Sequence, residues 1–200
     1  MAKTGVLGGT FDPIHNGHLA VAREVMSRLS LDRVIFVPAG MPPLKKGGPV
    51  APCEDRVNMV RLAIADEPGY QLSRVEVDRP GPSYTVDTVS GLKDEYGDEI
   101  YFVMGWDNLA ELYRWKEPGR LGEICWIVAV PRPGCGRPDL DSLEALIPAL
   151  RSSVILLESP LVDISASGIR ERLSRGLAIE RLVPAEVEEY IKRSGLYGSI

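Results

Sequence analysis

Apolar residues occur along this chain in two alternating modes, short continuous runs and helical stripes. Thr4 to Leu7, Val34 to Val37, Ile100 to Met104, Ile124 to Val130 and Val154 to Leu157 read as strands, several of them apolar enough to be buried on both faces. Leu72 to Val77 alternates like a strand of a different kind. Leu19, Ala22, Val25, Met26 and Leu29 keep helical spacing, with Asn16 as the expected N-cap. Further helices are predicted from Glu54 to Ala65, from Pro82-Ser83-Tyr84 to Tyr96, and over 139–150, with short helical turns over 108–122. Two more close the chain, one from Ser165-Ala166-Ser167 to Gly176 and one from near Pro184 to Gly195.

Strand and helix alternate, so the expected class is α/β, a doubly wound sheet of about five parallel strands. A Rossmann-like core of about residues 1–160 would carry a small helical part over about 161–200, within one domain. Ligands in such sheets bind at the carboxyl ends of the strands. The loops 8–18, 38–46, 105–115 and 131–134 all follow strands and should share that rim. The loop over 38–53, rich in Pro and Gly and carrying Lys45, is long for its place and is expected to close over a ligand.

Composition narrows the partners. There are 23 Lys and Arg against 28 Asp and Glu, a net charge of −5. That argues against a broad nucleic-acid surface, which would be basic, but not against an anion held by a few local cations. No apolar run approaches a membrane span and no signal-peptide pattern opens the chain, so a cytoplasmic protein is expected. Cys53, Cys125 and Cys135 fit neither a disulfide framework nor a zinc site. Cys125 lies in an apolar run and is expected in the core, and no metal ligands are assigned.

Two segments carry candidate chemistry. Gly8-Gly9-Thr10-Phe11-Asp12-Pro13-Ile14-His15-Asn16-Gly17-His18 occupies a strand-to-helix turn. Glycines there let backbone approach a ligand, and the helix start offers N–H groups and a positive dipole end to phosphate. His15 and His18, the only two histidines, could both face one phosphate. The alternative is a capping histidine beside a surface one. Ile164-Ser165-Ala166-Ser167-Gly168-Ile169-Arg170 opens a second helix, whose buried stripe is read as Ile169, Leu173 and Leu177. A cation in a first turn opposes the helix dipole unless an anion binds there. On physics alone Arg170 is as readily a solvated surface residue as a phosphate ligand.

His15-Asn16-Gly17-His18 resembles the H-x-G-H signature of the nucleotidylyltransferase superfamily, and Ile164 to Arg170 resembles its second signature, I-S-x-x-x-I-R. The longer string from Gly8 to Leu19 is similar to the nicotinate mononucleotide adenylyltransferase branch. So are Pro82-Ser83-Tyr84-Thr85-Val86-Asp87-Thr88, Gly105-Trp106-Asp107, Trp115, Arg132-Pro133-Gly134 and Gly195-Leu196-Tyr197. The resemblance implies a Rossmann-like fold and adenylyl transfer from ATP to nicotinate mononucleotide, with Mg²⁺ carried mainly on the ATP phosphates. It implies His15 and His18 as catalytic residues. ATP would be bound by Gly8, Gly9, Thr10, Phe11, Gly105, Asp107, Ile164, Ser165, Ser167 and Arg170 as well as the histidines. The acceptor would be bound by Lys45, Tyr84, Thr85, Trp115, Lys116 and Arg132. Two departures stand out. Leu44 replaces a frequent histidine, and Trp106 replaces a small residue, which would reshape one wall of the pocket. Rival functions are transfer to phosphopantetheine or to nicotinamide mononucleotide, and a non-catalytic nucleotide-binding module.

Overall fold

The computed structural model describes residues 1–43 and 48–198. Six parallel strands form one sheet in the order β3-β2-β1-β4-β5-β6, where β1 is Lys3–Gly9, β2 Arg33–Pro38, β3 Tyr70–Leu72, β4 Glu99–Gly105, β5 Trp126–Val130 and β6 Val154–Leu156. This exceeds the expected five by one; both outermost strands are three residues long. Helices α1 (Asn16–Leu29), α2 (Cys53–Ala63), α3 (Val75–Asp78), α4 (Thr85–Tyr96), α5 (Trp106–Ala110), α6 (Pro118–Ile124) and α7 (Leu140–Leu146) connect the strands, and α8 (Ala166–Ser174) and α9 (Ala185–Arg193) follow the last one. The chain is thus α/β and Rossmann-like. No helix among the described residues is long and apolar enough to cross a membrane.

The sheet's two faces bury separate clusters. Phe36, Val103 and Val128 lie in the cluster that receives Val25 of α1, Val60 of α2 and Val187 of α9. Ile35, Phe102 and Ile127 lie in the other, with Val89 of α4 and Leu121 of α6. Adjacent strand residues alternate between faces, as the two-sided burial of parallel strands requires.

Four local expectations are corrected. The alternation over 72–77 is not one strand: β3 ends at Leu72 and α3 begins at Val75. The run from Ile124 divides, because Ile124 closes α6 and β5 starts only at Trp126. The cap of α1 is His15 rather than Asn16; Asn16 instead binds the carbonyls of Arg181 and Leu182 through its side chain and its N–H. Leu177 lies beyond the end of α8 and is 47% exposed, so the buried stripe is Ile169 and Leu173. Cys125 is buried as expected, and burial pushes its thiol pKa up to about 12.

Candidate active site

The strand order reverses between β1 and β4, which opens a crevice at their carboxyl ends. Gly8-Gly9 ends β1 and Gly105 ends β4, so the turn with both histidines and the Gly105-Trp106-Asp107 segment flank that crevice. A cleft of about 880 Å³ runs from Gly8, Gly9 and Thr10 past Phe102 to Tyr84, Thr85, Trp115 and Lys116. It joins part of the expected nucleotide set to most of the expected acceptor set.

His15 precedes α1 and His18 lies in its first turn. Their rings stack at 3.7 Å between centroids, and Phe11 meets the His18 ring edge-on at 5.0 Å. Gly17 makes room for this, since a Cβ there would stand 2.9 Å from His15 Nδ1. Burial, then the positive charge of Arg132, lowers the His15 pKa to about 4. Burial, His15 and Arg132 hold His18 well below its ordinary value. Both imidazoles are therefore neutral at pH 7. The His15 N–H donates to His18 Nδ1 at 3.2 Å, so the His18 proton resides on Nε2, leaving that nitrogen as a donor.

On the β4 side, Arg132 pairs with Asp107 at 2.7 Å. Gly105 is again a close-approach glycine, because a Cβ there would fall 2.3 Å from Asp107 Oδ1. Asp107 Oδ1 and His15 Nδ1 are buried without hydrogen-bond partners. Unmade bonds of this kind are uncommon in cores and call for an explanation. Trp106 does not line the cleft; its Nε1 donates to the Ala129 carbonyl of β5 at 3.3 Å.

On the acceptor side, Tyr84 immediately precedes α4 and Thr85 is its first residue. Trp115 is half-buried, edge-on to Phe102 at 6.2 Å. Lys116 Nζ lies 4.8 Å from the Tyr84 ring centroid and pairs with Asp87 at 3.1 Å. Lys45 lies outside the described residues, as does Leu44.

The second signature does not line this cleft. Ile164 and Ser165 border a separate hollow of about 440 Å³. Ser165 caps α8 by accepting from the Gly168 N–H, and Ser167 Oγ lies 3.3 Å from Ser165 Oγ. Arg170 is no solvated residue: it donates to the Asp12 carbonyl at 2.6 Å, tying the second signature to the first.

Several residues at the site carry no obvious signal in the sequence. Glu76, Asn108, Glu111 and Arg114 also line the cleft, as does Ser83 of the family-like stretch. Asp12 is 1% exposed; its carboxylate accepts from the N–H groups of Val50 and Ala51 and from the Tyr197 hydroxyl at 2.7 Å. Burial pushes its pKa up, but those donors and the Arg170 charge outweigh burial and hold it low. Asp12 lies inside the first signature string, yet partners as distant in the chain as Tyr197 leave no local pattern.

Comparison with known proteins places the chain in a family. The sequence profile of the cytidylyltransferase-like family matches residues 6–172. A Dehalococcoides mccartyi protein named probable nicotinate-nucleotide adenylyltransferase is 50% identical over 197 residues, 98% of this chain and 97% of that protein. A Thermomicrobium roseum protein of the same name is 47% identical over 201 residues, 100% of this chain and 94% of that protein. A Plasmodium falciparum nicotinic acid mononucleotide adenylyltransferase, solved in complex with NaAD, has the same fold: TM-score 0.78 at 19% identity, over 100% of this chain and 99% of that one. On the sequence relationships, this chain belongs to the cytidylyltransferase-like family and, within it, to the nicotinate-nucleotide adenylyltransferases.

Proposed function

We propose that the protein transfers the adenylyl group of ATP to nicotinate mononucleotide, giving nicotinate adenine dinucleotide and pyrophosphate, a step in NAD biosynthesis. One observation carries this reading: the turn leading into the stacked, neutral histidine pair also walls the cleft that holds Tyr84, Thr85 and Trp115. A phosphate site and an aromatic-walled site for a mononucleotide are thereby adjacent.

In this reading the acceptor phosphate oxygen attacks the α-phosphorus and pyrophosphate leaves. One phosphoanhydride replaces another, so no covalent enzyme intermediate is needed and catalysis rests on positioning and charge stabilisation. His18 donates from Nε2 to an α-phosphate oxygen, with His15 beside it. The N–H groups of Gly9, Thr10 and Phe11 face the phosphates; the Phe11 ring itself is buried, so only its backbone serves. Asp107 receives ribose hydroxyls, and Arg132, Lys45 and Arg170 hold phosphates. Guanidinium groups suit phosphate oxygens, imidazole is a poor ligand for hard Mg²⁺, and Asp107, the one carboxylate of the predicted set, already faces Arg132. That donor set fits Mg²⁺ brought in on the nucleotide. Bound there, Mg²⁺ would shield the β- and γ-oxygens.

Pyrophosphate release from ATP, followed across a panel of acceptors, tests the reading. Release should depend on added nicotinate mononucleotide and be absent with phosphopantetheine. Equal release without any acceptor, or none with the mononucleotide, would refute it.

Arg170 allows a narrower prediction. Arg170→Ala should raise the KM for ATP by roughly tenfold or more, the value of a lost charge-assisted bond. Arg170→Lys should restore it only in part, because a point charge cannot reproduce a fork. A variant whose melting temperature falls while its KM for ATP stays put would confine Arg170 to holding the Asp12 carbonyl.

A further inference from the structure

Among the described residues Arg56 is the largest fully buried side chain, 1% exposed, and it reaches from α2 to the first signature. Its NH1 donates to the Thr10 carbonyl at 2.7 Å and its NH2 to Cys53 Sγ at 3.2 Å, while Nε has no partner. Among the described residues no carboxylate pairs with it, whereas Arg170 of α8, which also reaches this turn, has Asp12 at 3.8 Å. A buried charge without a counter-charge is costly unless something compensates it.

The direction of its main bond matters more than its strength. The Thr10–Phe11 peptide is trans, so its C=O and N–H lie in one plane and point in opposite directions. The Thr10 carbonyl is drawn inward to Arg56. The Phe11 N–H therefore points away from Arg56, and the preceding residue, Thr10, lines the cleft. No acceptor for that N–H is found among the described residues. Phe11 also has a φ of 49°, a conformation a bulky residue keeps only when its surroundings hold it there.

We propose that Arg56 is a positioning residue for the nucleotide: it fixes the Thr10–Phe11 peptide so that the Phe11 N–H meets a phosphate of ATP, and its own charge is matched only when that phosphate arrives. The inference rests on the adenylyltransferase reading and adds a residue that never touches substrate. A positive charge beneath the turn also raises the potential at the phosphate site through a medium that screens poorly.

Calorimetric titration with Mg–ATP, without acceptor, tests this on the parent, Arg56→Met and Arg56→Lys. The Met variant should bind Mg–ATP roughly tenfold or more weakly, with less than about a twofold change in affinity for nicotinate mononucleotide, and the Lys variant should fall between. A merely structural arginine would lower the melting temperature and leave the ratio of the two affinities unchanged. A folded Met variant that binds Mg–ATP like the parent overturns the proposal. Should that variant not fold, the ¹⁵N-labelled parent decides: the Phe11 amide should shift and gain exchange protection with Mg–ATP but not with the mononucleotide alone. A Phe11 amide indifferent to Mg–ATP overturns the proposal as well. A parent that binds no ATP removes the adenylyltransferase reading itself, and this proposal with it.

Discussion

Replacing His18 by alanine should lower kcat by about 10²–10³, the usual consequence of losing one preorganised donor at a developing charge. His18 is suited to that role by its surroundings rather than by its titration. Burial, His15 and Arg132 keep its ring neutral. The His15 N–H occupies Nδ1, and the Phe11 and His15 rings fix the plane. What remains is a single N–H of set direction, at the start of a helix whose dipole favours negative charge. A neutral donor costs less to bury than an imidazolium and holds a ground-state phosphate less tightly. The loss should therefore appear in kcat, with ATP affinity changed far less. Near-normal turnover in the His18→Ala variant would exclude His18 from the chemical step and leave His15 as the group to examine.

The second large effect concerns the choice of acceptor. Nicotinate mononucleotide should be preferred over nicotinamide mononucleotide by roughly 10- to 1,000-fold in kcat/KM, which at about 1.4 kcal/mol per tenfold corresponds to about 1–4 kcal/mol. The ring would lie on Trp115, with its carboxylate facing the Thr85 hydroxyl and the Lys116 N–H. Thr85 opens α4, and Thr85, Trp115 and Lys116 line one cleft. An anion near that helix start is favoured by its free N–H groups. A carboxylate accepts from every donor present. An amide would turn its NH₂ toward one of them and leave a buried group unpaired, and discrimination of this kind comes from penalising the wrong ligand. Assays with both mononucleotides at identical ATP and Mg²⁺ decide the matter. Equal values, or a preference for the amide, would reject the acid assignment while leaving adenylyl transfer intact.

What can be read from the sequence depends on how local the determining contacts are. The five strands read from 4–7, 34–37, 100–104, 124–130 and 154–157 are legible because two-sided burial demands a continuous apolar run. The same criterion misplaces Ile124, because a helix end and a strand start can share one apolar run. Residues 72–77 mislead for a related reason: four residues of α3 are too few to display a 3.6-residue period, so Val75 and Val77 pass for one face of a strand. At the site, the histidine pair is legible since it lies within one turn of chain. Arg56 reads as an ordinary charge on a helix, because nothing in α2 announces that Thr10 packs against it. In the sequence Arg132 and Asp107 read as two separate ligand contacts, and their union depends on β4 and β5 being neighbours.

The Asp12 carboxylate bears on how the molecule can be divided. Its donors come from the segment before α2 and from Tyr197 beyond α9, and Arg170 of α8 holds the adjoining carbonyl. A helical tail added to a finished Rossmann-like core could be clipped off or exchanged between homologues with little harm. Here, cutting after the last strand would strip a buried anion of a hydroxyl and its nearest cation, at the base of the nucleotide turn. Swapping only the last forty residues between relatives would impose the same mismatch unless the first turn travelled with them. The chain's beginning and its end are thus one inheritable unit, and grafts or split-protein designs on this scaffold must keep the two together.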